Sequence, residues 1–296
     1  MLAALRHFKS LTPLPTNLGS ADLRELMQGV DRKSVFSART NLIDYVNDIK
    51  DAIARMMTGD TNLATAKMEL LEKLRAYGYT PGEGFPQAPD ANIPPAEEGS
   101  LRDLSSDPRL NLVVTTNFRQ ALNWQMQQDG LAADALEQFP AWELIRIYPR
   151  MIPRGERRGP KGTIIPVPGD DWPSRFEAAL AGTGDTDAAR VFSATGQMMA
   201  RKDSPVWEYL GDPANFADAI GTDYPPFAFN SGMGWMPVRR AECLLLGLIR
   251  PQDMVVPSAR APFGAELSAD EATADLADLR AARGELEQLA QSWRRA

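Results

Sequence analysis

The chain has 296 residues, 44% of them hydrophobic, a formal net charge of −7, one cysteine and one histidine. That length can bury a core as one large domain or two smaller ones, and no run approaches the roughly 18 uninterrupted apolar residues of a membrane span. With only Cys243 and His7 available, an intramolecular disulfide is excluded, zinc sites and histidine-based triads have almost no material, and acid–base chemistry would rest on carboxylates.

The opening Met1–Lys9 has no secretory hydrophobic region, which predicts a protein made and kept in a cytoplasm, or packaged from one, and places His7 at a frayed end. Residues 1–40 read as an extended arm: Pro13 and Pro15 break its start, and Ser20 can cap one short helix whose Leu23, Leu26, Met27 and Val30 share a face. Such an arm either clasps a partner or folds back on its own domain. Residues 41–80 predict a helical hairpin. Leu42, Val46, Ile49, Ile53 and Met56 recur in alternating steps of four and three, the spacing of one helical stripe, and Gly59 ends it. Thr61 is placed to cap a second helix carrying Leu63, Leu70, Leu71, Leu74 and Tyr77, which stops at Gly78. Met56, Met57 and Met68 read as core filler. Residues 81–105, with Pro94-Pro95 and no periodicity, read as a linker or a connection hugging the surface.

Ser106-Asp107-Pro108 is a compact helix start, with Ser106 as cap and Pro108 in the first turn where its missing N–H costs nothing. The helix runs to about Gln128 with Leu110, Val113, Val114, Phe118, Ala121 and Leu122 inward, and Asn117, Arg119 and Asn123 on the polar side. A short helix ends near Phe139-Pro140, and Trp142–Tyr148 then reads as a strand stopped by Pro149. Arg150, Arg154, Arg157, Arg158 and Lys161 form a basic island in a Pro/Gly-rich loop. It is either a solvated loop or a contact for DNA phosphates or an acidic partner.

Gly162–Val167 is a second short strand or an extended turn. Helices follow over Trp172–Leu180, Asp187–Met199, and Val206–Leu210 behind Ser204-Pro205. Asp223–Trp235 is an aromatic and proline turn in which Pro225 and Pro226 fix φ on the way in and Gly232 and Gly234 free it on the way out. Phe227, Phe229 and Trp235 would dock this shape onto a core, and Asn230 would hold it by bonding nearby backbone. Cys243 lies in an aliphatic stretch and reads as a small buried apolar residue within a helix Arg239–Leu246 ended by Gly247. Residues 251–296 carry a final helix with a Ser268/Glu271 capping box and a seam of Leu276, Leu279, Leu286 and Leu289, either pairing with another chain or packing on the body. The whole is α+β, predominantly helical with a small antiparallel sheet, an extended N-terminal arm and a C-terminal helix.

No phosphate-cradling glycine loop and no nucleophile elbow is present: Ala181–Asp185 lacks the lysine and preceding strand, and Ser231 has no nearby histidine. The acidic pairs Asp170-Asp171 and Asp185 with Asp187 could hold a hard cation but read as solvated. No metal or cofactor site is assigned and the chain is read as no enzyme; a carboxylate-based enzyme of unknown substrate is the alternative.

The order of segments resembles the phage Mu F-like minor head, or head morphogenesis, proteins. It rests on the Asp-Pro-x-Leu-x-Leu-Val-x-x-Thr-Asn helix with its polar run Asn123-Trp124-Gln125, the Trp-Glu-x-x-Arg strand, and the closing Pro-Pro-x-x-Phe-Asn turn, over about Asp107–Leu248. Many family members close this turn with cysteines; Ser231 and Met233 stand there here, so a cysteine-dependent site is absent and apolar packing must hold the turn. The resemblance implies a head morphogenesis domain over 106–250 in a minor virion protein that acts in capsid assembly near the portal. It implies several copies per particle in the head interior, docking on portal or major capsid protein, contact with packaged DNA and none with membrane. A neck, tail or injected virion protein is the neighbouring alternative.

Overall fold

The computed structural model describes residues 2–16, 34–88, 95–148, 154–159, 163–229 and 231–256. The helix expected over 20–30, Arg150, Lys161, Asn230 and the leucine seam 276–289 lie outside them.

The expected hairpin is present as α2 (Ile43–Thr58) and α3 (Leu63–Ala76). Gly59 closes α2 at φ 84°, its N–H reaching the carbonyls of Arg55 and Met56, a left-handed turn for which glycine carries no Cβ penalty. The cap of α3 is Asn62 rather than Thr61, its Oδ1 accepting from the Thr65 amide at 3.0 Å. Met57 lies in the core, where it continues the Ile49–Ile53 row by four residues, and Met56 is half-buried against the same core. Met68 is 64% exposed and is not core filler: the buried row of α3 is Ala66, Leu70 and Leu74, and a residue two steps from either neighbour points away.

The arm folds back. Residues Leu2–Ser10 form a helix, α1, whose Ala4 and Phe8, four apart on one face, are buried in the same core as the hairpin. His7 is not frayed, since its ring stacks on Trp124 at 3.9 Å, and burial pushes its pKa down to about 4. After it, β1 (Thr12–Leu14) pairs in parallel with β2 (Ser34–Phe36).

The 81–105 connection hugs the body where it is described. Phe85 and Leu104 are buried, the Leu104 amide donates to the Tyr79 hydroxyl at 2.9 Å, and the buried Asp103 carboxylate accepts from Gly99 and Ser105. It therefore does not separate two cores. The long helix α4 (Asp107–Gly130), capped by Ser106, sends Leu110, Val114 and Ala121 into the hairpin core. Arg109 is buried beside them, its Nη2 donating to Ser37 Oγ and the Ala38 carbonyl, which pins residues 34–40 to the helix start.

Beyond α5 (Ala133–Gln138) lies a three-stranded antiparallel sheet in the order β6–β3–β7, with β3 (Ala141–Arg146) between β6 (Met199–Arg201) and β7 (Met233–Val238). The expected helix Asp187–Met199 is shorter: α7 (Thr186–Thr195) is stopped by Gly196 at φ 72°, which frees Met199 to pair with Glu143 of β3. Strand β7 was hidden by its own composition. Its Pro237 stands opposite Trp142, and a proline is tolerated because β7 is an edge. Helices α6 (Trp172–Thr183), capped by Asp171, and α8 (Val206–Gly211) pack on each other, α7 packs on β6, and α9 (Arg240–Leu245) follows β7. Lys202 ties sheet to helix, its Nζ donating to the Gly130 carbonyl at 2.6 Å while lying 4.2 Å from the centre of the Trp142 ring.

Gly211 ends α8 where the chain passes Thr222, and a Cβ there would sit 1.6 Å from the Thr222 carbonyl oxygen. Gly211→Ala is expected to destabilise by about 1–3 kcal/mol through this overpacking. Gly59→Ala, which meets nothing within 4 Å, carries only the backbone penalty of about 1 kcal/mol. Urea unfolding of the two variants beside the parent checks the order.

Candidate functional site: the basic hairpin and the closing turn

The described part of the basic island contributes a strand to a two-stranded antiparallel pair. Strand β4 (Glu156–Arg158) pairs antiparallel with β5 (Ile164–Pro166), placing Arg157 opposite Ile165, and the Gly159 amide donates to the Thr163 carbonyl at 2.6 Å across its end. Arg157 is exposed and Arg158 lies in β4.

Arg154 is not a surface cation. Its side chain is 6% exposed, and its Nη1 bridges Asp170, at 3.3 Å, and Asp218. Arg175 of α6, equally buried, pairs with Asp170 at 2.5 Å and with Asp218 at 2.8 Å, completing a square of two guanidiniums and two carboxylates. Arg175 also lies 4.7 Å from the centre of the Phe216 ring. Burial alone would raise the Asp218 carboxyl, but Arg154 and Arg175 together outweigh it and hold the group below the usual carboxylate range. The square joins the stem of the hairpin, the start of α6 and the entry to the closing turn. A basic run in sequence gives no signal for it, because the two aspartates are 16 and 64 residues from Arg154.

The closing turn docks as its aromatics predict. Phe227 is fully buried at φ 55°, and Tyr224, Pro225, Pro226 and Trp235 are buried, while Phe229 is half-buried. The Ile220 amide donates to the Phe227 carbonyl at 3.0 Å, closing the loop on itself. Trp235 stacks on Trp142 at 4.9 Å with 4° between the planes and meets Trp207 edge-on at 5.4 Å and Phe227 at 5.8 Å. Aromatic packing thus anchors the turn on the sheet. Ser231 is buried and hydrogen-bonded: its hydroxyl donates to the Pro226 carbonyl at 2.5 Å and accepts from the Met233 amide at 3.2 Å. Gly232 is required where it is, with φ 70° and its missing Cβ position 2.5 Å from the Tyr148 carbonyl oxygen. Its own carbonyl accepts from both Ile147 and Tyr148 amides at 3.0 Å.

These bonds bring together the three segments that carry the resemblance. β3 pairs with the exit of the turn in the register Leu144 opposite Trp235 and Arg146 opposite Met233, and Arg119 of α4 lies 3.7 Å over the ring of Tyr148, just past β3. Arg119, read as a polar-face residue of α4, and Trp124, named only within the run Asn123-Trp124-Gln125, both make contacts that residue type alone does not indicate. Trp124 is buried under His7, and Arg119 is half-buried against Tyr148.

The acidic pairs are engaged in the fold. Asp171 and Asp185 cap α6 and α7, accepting from the Ser174 amide at 2.9 Å and the Ala188 amide at 3.0 Å, and Asp187 pairs with Arg190 at 2.6 Å. Among the described residues no group of three or more His, Cys, Asp or Glu is placed to hold a metal ion. Cys243 is buried, and burial pushes its thiol up to about 11, which keeps it protonated near neutral pH. Among the described residues no helix is long and apolar enough to cross a membrane. No family model, curated protein or solved structure matches the chain.

Proposed function

We propose that the chain is a minor structural, head morphogenesis protein of a tailed-phage or prophage virion, acting in capsid assembly near the portal. The observation that carries this reading is the joining of the long helix, the Trp-Glu-x-x-Arg strand and the closing turn into one unit through the β3–β7 register and the Arg119–Tyr148 contact. A part that docks on portal or major capsid protein needs a rigid frame and an outward contact surface. Both have counterparts here in the four-ring cluster around Trp235 and in the hairpin that carries Arg157 outward. In this reading the protein works in host cytoplasm during assembly and stays in several copies inside the head, without cofactor or membrane.

The test is removal of the coding sequence from the phage or prophage followed by electron microscopy of the particles. Loss of DNA-filled heads, restored by supplying the chain in trans, is the expected result. Normal yields of filled, infectious particles without the chain would remove the proposal.

A further inference from the structure

The patch where β3 leaves the sheet is chemically distinct from the charge square beside it. Arg119 lies with its guanidinium carbon 3.7 Å from the centre of the Tyr148 ring, and Tyr148 still keeps 37% of its surface open. Arg146 is exposed and its Nη1 donates to the Ser231 carbonyl at 3.3 Å. The two cations share one neighbourhood, since the Cβ position of Gly232 lies 3.3 Å from Arg146 Nη1 and 2.5 Å from the Tyr148 carbonyl oxygen. None of Arg119, Arg146 or the hairpin's Arg157 pairs with a carboxylate of the described residues. Arg154 and Arg175 are neutralised by Asp170 and Asp218. Burial lowers the Arg119 pKa and the Tyr148 side chain partly offsets it, so the fold holds a partly desolvated charge against that residue.

We infer that the Arg119–Tyr148–Arg146 patch binds a nucleic-acid strand with an unstacked base, the base on Tyr148 and the phosphates on the two arginines. An aromatic ring backed by a guanidinium is a surface for base stacking, which tolerates any sequence, and uncompensated arginines beside it supply phosphate contacts. An acidic peptide would use the arginines and be indifferent to the ring, and a blunt duplex, whose bases are already stacked, would do the same. The site deepens the virion reading and rests on it for its biological setting only.

The test is fluorescence anisotropy of the full chain with a fluorescein-labelled single-stranded oligonucleotide and with the corresponding blunt duplex, across a salt series. The single strand is expected to bind more tightly than the duplex. Tyr148→Leu is expected to weaken single-strand binding roughly tenfold while leaving the duplex little changed. Tyr148→Phe should bind like the parent, and Arg146→Gln should lower the salt slope by about one. The inference is overturned by absence of single-strand binding at low salt, by Tyr148→Leu binding as the parent does, or by Tyr148→Phe losing as much as Tyr148→Leu. Failure here with the chain present in particles removes this site alone. Binding intact with the chain absent from particles removes the virion reading and leaves the site.

Discussion

Trp235→Ala is expected to lower the free energy of unfolding by about 3–5 kcal/mol, the largest effect of any single substitution considered. The side chain is buried, stacks on Trp142, touches Trp207 and Phe227, and sits in β7 opposite Leu144, so its loss opens a cavity at the joint between turn and sheet. Among the described residues its indole N–H has no hydrogen-bond partner, so truncation removes packing and ring contacts. Trp235→Phe should recover more than half of the loss by keeping an aromatic in the stack. Urea unfolding followed by far-UV circular dichroism, which does not depend on the deleted fluorophore, measures both. A cost under about 1 kcal/mol for the alanine variant would place the anchor of the turn elsewhere.

Asp218→Ala is expected to cost about 3 kcal/mol, at the low end for a broken buried pair, because the carboxylate keeps 35% of its side-chain surface while its arginine partners keep 6%. The cost arises from leaving Arg154 and Arg175 with Asp170 as their remaining carboxylate. Adding Arg154→Met to Asp218→Ala should therefore restore part of the stability. The pH dependence has a fixed sign. The folded-state pKa of Asp218 is below its unfolded value of about 3.9, so its contribution is complete above that pH and is lost as pH falls through the folded value. The parent should lose stability more steeply in that acid window than Asp218→Ala does. Parallel slopes for the two proteins in urea titrations at stepped pH would show that the square does not bear on folding.

Local rules were enough where one helix face met one core. The stripes of α2 and α3, the Gly59 stop and the Ser106 cap with Pro108 are all readable because a helix records its buried face every three to four residues. The same rules erred by one position at the Asn62 cap, and overlooked that Met68 lies off the buried row. Strand β7 was not legible: Gly234 and Pro237 depress strand propensity, and only the neighbouring β3 supplies the partner that overrides it. The folded-back arm was left open for the same reason, since Ala4 and Phe8 gain a core from helices that begin 35 and more residues away.

At the candidate site the docking of Phe227 and Trp235 was legible from residue type. The division of the basic island was not. Arg154 and Arg157 are equivalent in a charge run, and they are told apart only by Asp170 and Asp218, which tertiary folding brings to Arg154. Ser231 likewise gave no polar signal in a segment without a histidine, yet it supplies two of the turn's hydrogen bonds. The pairing of Arg119 with Tyr148 joins a helix and a strand end that have no sequence pattern in common.

Quantitative peptide mass spectrometry on nuclease-treated, density-purified particles, comparing this chain with portal and major capsid subunits, is the most direct test of a role in the virion. A minor head protein should be found at a low and fixed ratio to the portal, well below the capsid subunit. Its absence from mature particles would contradict that role.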